Sequence, residues 1–274
     1  MSSKSTIIAA TNFSDIAKNA VFYAAALAEV TGSKLLLFHS FSLSIHSSNS
    51  RVSSAGLDQE LNRSLWKLKI LATELSTTFS IEIEIYCIYS PLEEELNKLI
   101  ENRKIELVVM GMADKSLEQD LMGNSTTSVI KNINIPVLAV PEAAHFSQVK
   151  KILFALDDTS LSTVKRFRWF TKIVLKLKSE IEFFSVEHKV EKLLLQQNNA
   201  DSTIDPNLTD IKHLYKKIKS SDVVNEIKLE IKNYKADLLV MVPQKYGFWD
   251  SLLHISKTRT MATGLEIPLL SLPN

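Results

Sequence analysis

A main-chain anion site needs small residues ahead of a helix. The first N–H groups of a helix have no partner inside it, and with the helix dipole they attract phosphate. Gly123-Asn124-Ser125-Thr126 has that character, and Gly111 stands 12 positions before Gly123, just after the apolar run Leu107–Met110. In an open parallel sheet, ligands bind outside the carboxyl ends of the strands, where the strand order reverses. In the first half of this chain those ends carry Ala10-Thr11-Asn12-Phe13, Phe38-His39-Ser40 and Met110-Gly111-Met112-Ala113-Asp114. The chemistry that such residues offer is binding of a phosphate-bearing ligand. In the second half, Asp157-Asp158 has the oxygen ligands to hold Mg²⁺ beside a phosphate, but a turn followed by a helix cap accounts for the pair more simply.

Other chemistries find no support. The six histidines, at 39, 46, 145, 188, 213 and 254, form no i, i+4 pair, and no C-x-x-C accompanies them, so no metal site is expected. There is no G-x-S-x-G elbow and no G-x-x-x-x-G-K-[ST] loop. No catalytic residue is assigned, and the chain is not expected to be an enzyme. Cys87 is the one cysteine, inside an alternating apolar segment, and reads as a small buried hydrophobe in a reducing compartment. With 32 basic against 31 acidic residues the net charge is +1, which gives no footprint for nucleic acid. The densest basic run, Lys212 to Lys219 with four lysines, is explained by a solvated helix end. Met1 to Ser5 is polar, and no run approaches the ~18 apolar residues needed to span a bilayer. A cytoplasmic protein with no membrane or nucleic-acid partner is expected.

The elements that would position these residues follow from hydrophobic period. Thr6–Thr11 is a strand rich in β-branched residues, and Asn12-Phe13-Ser14-Asp15 is a turn and helix N-cap. Ala17, Ala20, Val21, Ala24, Leu27 and Ala28 trace one buried face of a helix, which Gly32 ends. Lys34–Phe38 is a second strand. The Ser-rich residues 41–56 read as a mobile loop, and 57–78 as a helix. Ile81–Tyr86 alternates, so it is a strand with one more polar face; Ser90-Pro91-Leu92-Glu93 is a capping box that opens a helix to about Arg103. Leu107–Met110 is a fully apolar strand, 123–132 a helix, and Pro136–Val140 a last strand. Trp66 and Trp169 fall on helical patterns and read as core.

The second half repeats this plan. Lys151–Thr159 matches Ser5–Phe13 in character, Ala236–Met241 matches Ile105–Met110, and Ile267-Pro268 matches Ile135-Pro136. The offset falls from 145 (152 − 7) to 131 (241 − 110), so the second copy lacks about 14 residues between its first and fourth strands. Residues 189–208 read as a loosely held polar segment. At 274 residues, 45% of them hydrophobic, two cores are affordable. The expected fold is α/β, with two tandem doubly wound, mostly parallel five-stranded sheets and helices on both faces. The expected domains are 1–144 and 149–274.

On these residues the chain resembles a tandem universal stress protein. Asn12-Phe13-Ser14 is similar to that family's Thr-Asp-Phe-Ser opening, and Val109–Gly111 through Gly123-Asn-Ser-Thr to Ile135-Pro136-Val137 is similar to its nucleotide loop, G-x2-G-x9-G-[ST]. The resemblance implies that ATP, if bound in domain 1, would meet Ala10, Thr11 and Asn12 on the base side. It implies Met110, Gly111, Gly123, Ser125 and Thr126 for ribose and phosphate. This chain departs from the pattern. Asp114 stands at the second glycine and adds negative charge, as do Glu118 and Asp120, with Lys115 alone against them. The loop is one residue short, Asn124 stands where Ser or Thr is usual, and Asn12 replaces the acid that would accept from ribose hydroxyls.

The second copy departs further. Val242-Pro243-Gln244-Lys245-Tyr246-Gly247 stands in the loop's place, Pro removes a donor, and Ser256 and Thr258 follow no glycine, although Asp157 keeps the first-strand acid. Phe248, Trp249, Leu252 and Leu253 look like an apolar contact surface. Three readings stand. One is a tandem interaction scaffold, its copies forming an intramolecular pseudo-dimer through their last strands, pairing as a homo-oligomer or with another protein partner. A second is an ATP-binding sensor through domain 1. A third, an ATPase, lacks a general base and a P-loop lysine.

Overall fold

The computed structural model describes residues 4–41, 54–112, 125–156, 166–187, 208–242 and 265–273. Contacts divide the chain into two compact units, Met1–Phe146 and Ser147–Asn274.

Unit 1 contains β1 (Thr6–Ala10), α1 (Asp15–Thr31), β2 (Lys34–Phe41), α2 (Ser54–Thr78), β3 (Ile83–Tyr89), α3 (Leu92–Asn102), β4 (Ile105–Met112), α4 (Ser125–Asn132) and β5 (Val137–Pro141). Its strands lie in the order β3-β2-β1-β4-β5, and each neighbouring pair is parallel. Successive side chains of a strand point to opposite faces. Ile7, Ile8 and Ala9 are buried one after another, as are Leu107 to Met110, so both faces of the central strands are covered. This is the arrangement that apolar runs in a parallel sheet require. The edge strand β3 is nowhere fully buried, in keeping with its alternating sequence.

Helix α1 begins and ends as its sequence dictates. Ser14 is the N-cap and its Oγ accepts from the Ala17 N–H; Gly32 takes φ 68° at the other end, and its N–H reaches the carbonyls of Ala28 and Glu29. The Asn19 Nδ2 donates to the carbonyls of Pro141 (3.0 Å) and Ala144 (2.8 Å), which fastens the segment after β5 onto α1.

Three expectations fail locally. Ser90 does not cap α3. The N-cap is Pro91, without a side-chain bond, and the Glu93 carboxylate instead accepts from Ser128 and from Asn132 (2.8 Å), tying α3 to α4. Trp66 is not core but 64% exposed. The buried face of α2 runs through Ser64, Leu68, Leu71 and Leu75, and two residues of helix turn Trp66 away from Leu68 to the opposite side. Helix α2 starts at Ser54, inside the segment read as a loop, whose residues 42–53 lie outside the described ones.

Unit 2 contains β6 (Lys151–Leu156), α5 (Phe167–Leu177), β7 (Glu180–Glu187), β8 (His213–Lys219), α6 (Val223–Tyr234), β9 (Leu238–Met241) and β10 (Leu269–Ser271). The order β10-β9-β6-β7-β8, again all parallel, repeats that of unit 1 strand for strand. Lys216, Lys217 and Lys219 therefore lie on strand β8, with Lys212 just before it, rather than at a helix end; a strand of exposed and half-buried residues carrying lysines suits the edge of the unit. Residues 189–207 of the polar segment lie outside the described ones. Among the described residues no helix is long and apolar enough to cross a membrane.

Candidate functional site

In unit 1 the chain leaves β1 toward β2 on one side and leaves β4 toward β5 on the other, so the order reverses between β1 and β4. Ala9 lies opposite Val109 there, which brings the carboxyl ends of the two strands together. The expected ligand crevice lies at this point.

Ala10 closes β1, buried and in register with Phe38. Thr11 is buried, and its N–H, its hydroxyl oxygen and its carbonyl each take part in a hydrogen bond. Its N–H donates to the Phe38 carbonyl (2.9 Å), its Oγ1 accepts from the Phe13 N–H (3.0 Å), and its carbonyl accepts from His39 Nδ1 (2.7 Å). A carbonyl can only accept, so this bond fixes the proton of a neutral His39 on Nδ1. The Asn12 Oδ1 accepts from the Ser14 N–H (3.1 Å) and the Ser14 hydroxyl (2.7 Å). These side-chain bonds shape a turn in which Phe13 holds φ 67°, a conformation uncommon outside glycine.

Met110 is buried in β4 opposite Ala139, and Gly111 follows it opposite Val140. Gly111 has a clear local reason to be glycine. A Cβ there would lie 2.8 Å from Ile16 Cγ2 and 3.0 Å from the Ile16 carbonyl oxygen, so the first turn of α1 presses directly on the strand. Ser125 opens α4 at the surface. Thr126 is buried, and its hydroxyl donates to the Gly111 carbonyl at 2.8 Å. The structure thus gathers Thr11, Asn12, Gly111 and Thr126 at one sheet end and bonds each of them to neighbouring protein. Gly123 and the charged residues Asp114, Lys115, Glu118 and Asp120 lie outside the described residues.

The sequence did not reveal two participants, Ile16 and Lys67. Ile16 explains Gly111, but its contact is tertiary. Lys67 of α2 places its ammonium 5.0 Å from the centre of the Phe13 ring, a cation–π contact at the rim that no local pattern announces. His39 stacks against Phe13 with ring centres 4.5 Å apart. Burial holds the His39 imidazole below its usual range, against the pull of its bond to Thr11, and Lys67 adds to the lowering. Cys87 of β3 lies in register with His39, half-buried, and burial pushes its thiol up, so it stays a thiol rather than a reactive thiolate. Among the described residues no group of three His, Cys, Asp or Glu side chains is placed to hold a metal.

In unit 2 the corresponding reversal falls between β6 and β9, with Ala155 opposite Met241. Asp157, Asp158, Pro243 to Trp249, Leu252, Leu253, Ser256 and Thr258 lie outside the described residues.

Residues 5–141 match the family model described as the universal stress protein family. No curated protein matches the sequence significantly. Among solved structures, a universal stress protein from Archaeoglobus fulgidus is similar over 97% of this chain and 97% of its own, at 14% identity and a TM-score of 0.72. A putative universal stress protein from Pseudomonas aeruginosa is similar over 99% of this chain and 94% of its own, at 14% identity and a TM-score of 0.55. The cytoplasmic domain of a prokaryotic cation chloride cotransporter is similar over 98% and 95%, at 12% identity and a TM-score of 0.52. At these identities the structural likeness speaks for the fold.

Proposed function

This chain belongs to the universal stress protein family, and from that membership we propose that it acts as a two-unit interaction scaffold in which the crevice of unit 1 serves structure rather than a nucleotide. The observation that carries the reading is the internal commitment of the crevice. The Thr11 hydroxyl bonds Phe13, the Asn12 carbonyl bonds Ser14, the Thr126 hydroxyl bonds Gly111, and Gly111 is glycine because Ile16 leaves no room for a side chain. A nucleotide that needs these same bonded atoms would compete with bonds worth about 1 kcal/mol each, which lowers its affinity. The departures in the loop, with Asp114 in a glycine's place, point the same way. On this reading the protein works by pairing, with a second copy or another protein, and carries out no covalent chemistry.

A second reading, ATP sensing through unit 1, is favoured by the placement of Ala10, Thr11, Met110 and Gly111 at a strand-order reversal. Thermal unfolding of the full chain with rising ATP, with and without Mg²⁺, separates the two. A ligand present at 100 times its dissociation constant adds about 2.7 kcal/mol to stability. The scaffold reading predicts an unchanged melting temperature at millimolar ATP. A saturable rise would replace it with the sensor reading.

A further inference from the structure

We infer that Glu182 of β7 and Glu230 of α6 form a buried carboxyl pair that shares one proton, so that unit 2 tightens as pH falls toward 5 and loosens as pH rises toward neutrality.

The two positions are apolar in unit 1. Lys34 and Glu180 are equivalent, since each opens its strand with an N–H donated at 2.8 Å to the residue before the first strand's core, Ser5 and Lys150. Two residues on, Leu36 aligns with Glu182; and by the offset that aligns Met110 with Met241, Leu99 aligns with Glu230. Leu36 and Leu99 are 1% and 6% exposed, and Glu182 and Glu230 are 4% and 5% exposed. Unit 2 has therefore put two carboxyls where its sister packs two leucines, between a helix and the amino-terminal half of the sheet, away from the strand ends where a ligand would sit.

The surrounding charges balance only one of them. From β8, Lys216 places its ammonium 2.5 Å from Glu230 Oε2. From β6, Lys151 opposes the upward shift of the Glu182 carboxyl by its charge but makes its contacts elsewhere. Its ammonium donates to the Tyr234 carbonyl at 3.2 Å, lies over the Tyr234 ring and approaches Glu180 at 3.9 Å. Glu180, on the same strand as Glu182, is claimed by Lys212 at 2.5 Å and held below the usual carboxylate range chiefly by that bond. From α6, Tyr234 stays a neutral phenol, its ionisation pushed up by burial and by Glu180 and Glu182. Among the described residues Glu182 Oε1 has no hydrogen-bond partner, while its carboxyl lies within hydrogen-bonding reach of Glu230. Two carboxylates cannot bond each other without a proton, and a second unpaired charge at this depth is costly. The neutral arrangement is one proton, two carboxyls and Lys216.

The sign follows. Burial first, then the charge of Glu230, raise the Glu182 carboxyl from 4.5 to about 7 in the folded chain. A folded state that binds its proton more tightly than the unfolded state is most stable below the unfolded value. The contribution is complete below about pH 4.5, declines across the window between, and is gone above about pH 7. Each unit of pH in that window changes the folding equilibrium up to about tenfold. His39 in unit 1, held below its usual range, works in the opposite direction over part of the window, so the reading must be specific to unit 2.

Hydrogen exchange of the β7 and α6 amides in the full chain gives that specificity. The ratio of wild type to Glu182→Gln at each pH cancels the intrinsic pH dependence of exchange. Wild-type protection relative to the variant is expected to fall on the order of a hundredfold between pH 5 and pH 7.5. Glu182→Leu, the residue that unit 1 uses, should likewise lose the slope. Infrared spectra of the wild type alone give a second reading: a protonated-carboxyl band that survives at pH 6, fades by pH 8 and is absent from Glu182→Gln. A protection ratio constant within about threefold over this range, or a wild-type spectrum with no carboxyl band at pH 6, would overturn the inference.

Discussion

Phe154→Ala is expected to destabilise unit 2 by about 3–5 kcal/mol, the range for truncating a large buried aromatic. Phe154 is fully buried in β6 and sits at the centre of a ring cluster. Its centroid lies 5.5 Å from that of Phe170, 5.5 Å from that of Phe183 and 6.1 Å from that of Phe167. Such ring pairs contribute beyond their area, so the cavity would lose edge-to-face contacts as well as burial. By the offset that pairs Ile152 with Ile7, the equivalent residue of unit 1 is Ala9 (154 − 145), so the two units fill the same space differently. Unit 1 packs small residues of α1, including Ala17, Ala20, Ala24 and Ala28, while unit 2 packs rings from α5. Exchange protection of the β6 and β7 amides measures the loss for this unit. Phe154→Leu, which keeps most of the volume, should cost clearly less, and equal costs would mean that the rings do not pack as described.

Gly111→Val is expected to destabilise unit 1 by about 3 kcal/mol, the upper part of the usual range for overpacking. The sign is informative. Val is a better strand residue than Gly, so at a strand position with free space the change would be neutral or stabilising. The Cβ alone meets Ile16 Cγ2 at 2.8 Å and the Ile16 backbone at 3.0 and 3.1 Å, and helix backbone cannot yield as a side-chain end can. Chemical denaturation of the full chain, compared with the wild type, reads the loss. A stabilised variant would show that α1 does not press on β4 here, and would free Gly111 for a ligand.

The sequence was most legible where period and end signals agree. Apolar runs at β1, β4, β6 and β9, broken by helical faces, predict parallel strands, and the two-fold repetition of those runs predicts two units of like strand order. Gly32 announced the end of α1 because a left-handed residue is needed there. Local signals misled where a distant partner took over. Glu93 reads as part of a capping box, but Ser128 and Asn132 offer it two donors from another helix. Trp66 reads as core because an apolar residue on a helical pattern usually is, yet Ser64 and not Trp66 completes the buried stripe. The small residues of the crevice were legible as a group, and their reasons were not. Gly111 answers to Ile16, and Thr126 to the Gly111 carbonyl, contacts that spacing alone cannot show. The Glu180–Phe183 segment alternates like an exposed strand, but β7 lies inside its sheet, which is how the Glu182 carboxyl came to be buried.

The backbone amides of Thr11, Gly111 and Thr126 report most directly on whether the crevice is given over to structure. In two-dimensional NMR spectra of the full chain, adding millimolar ATP with Mg²⁺ should leave these three resonances where they are. Saturable, concerted shifts of all three would contradict the account and assign the crevice to a nucleotide.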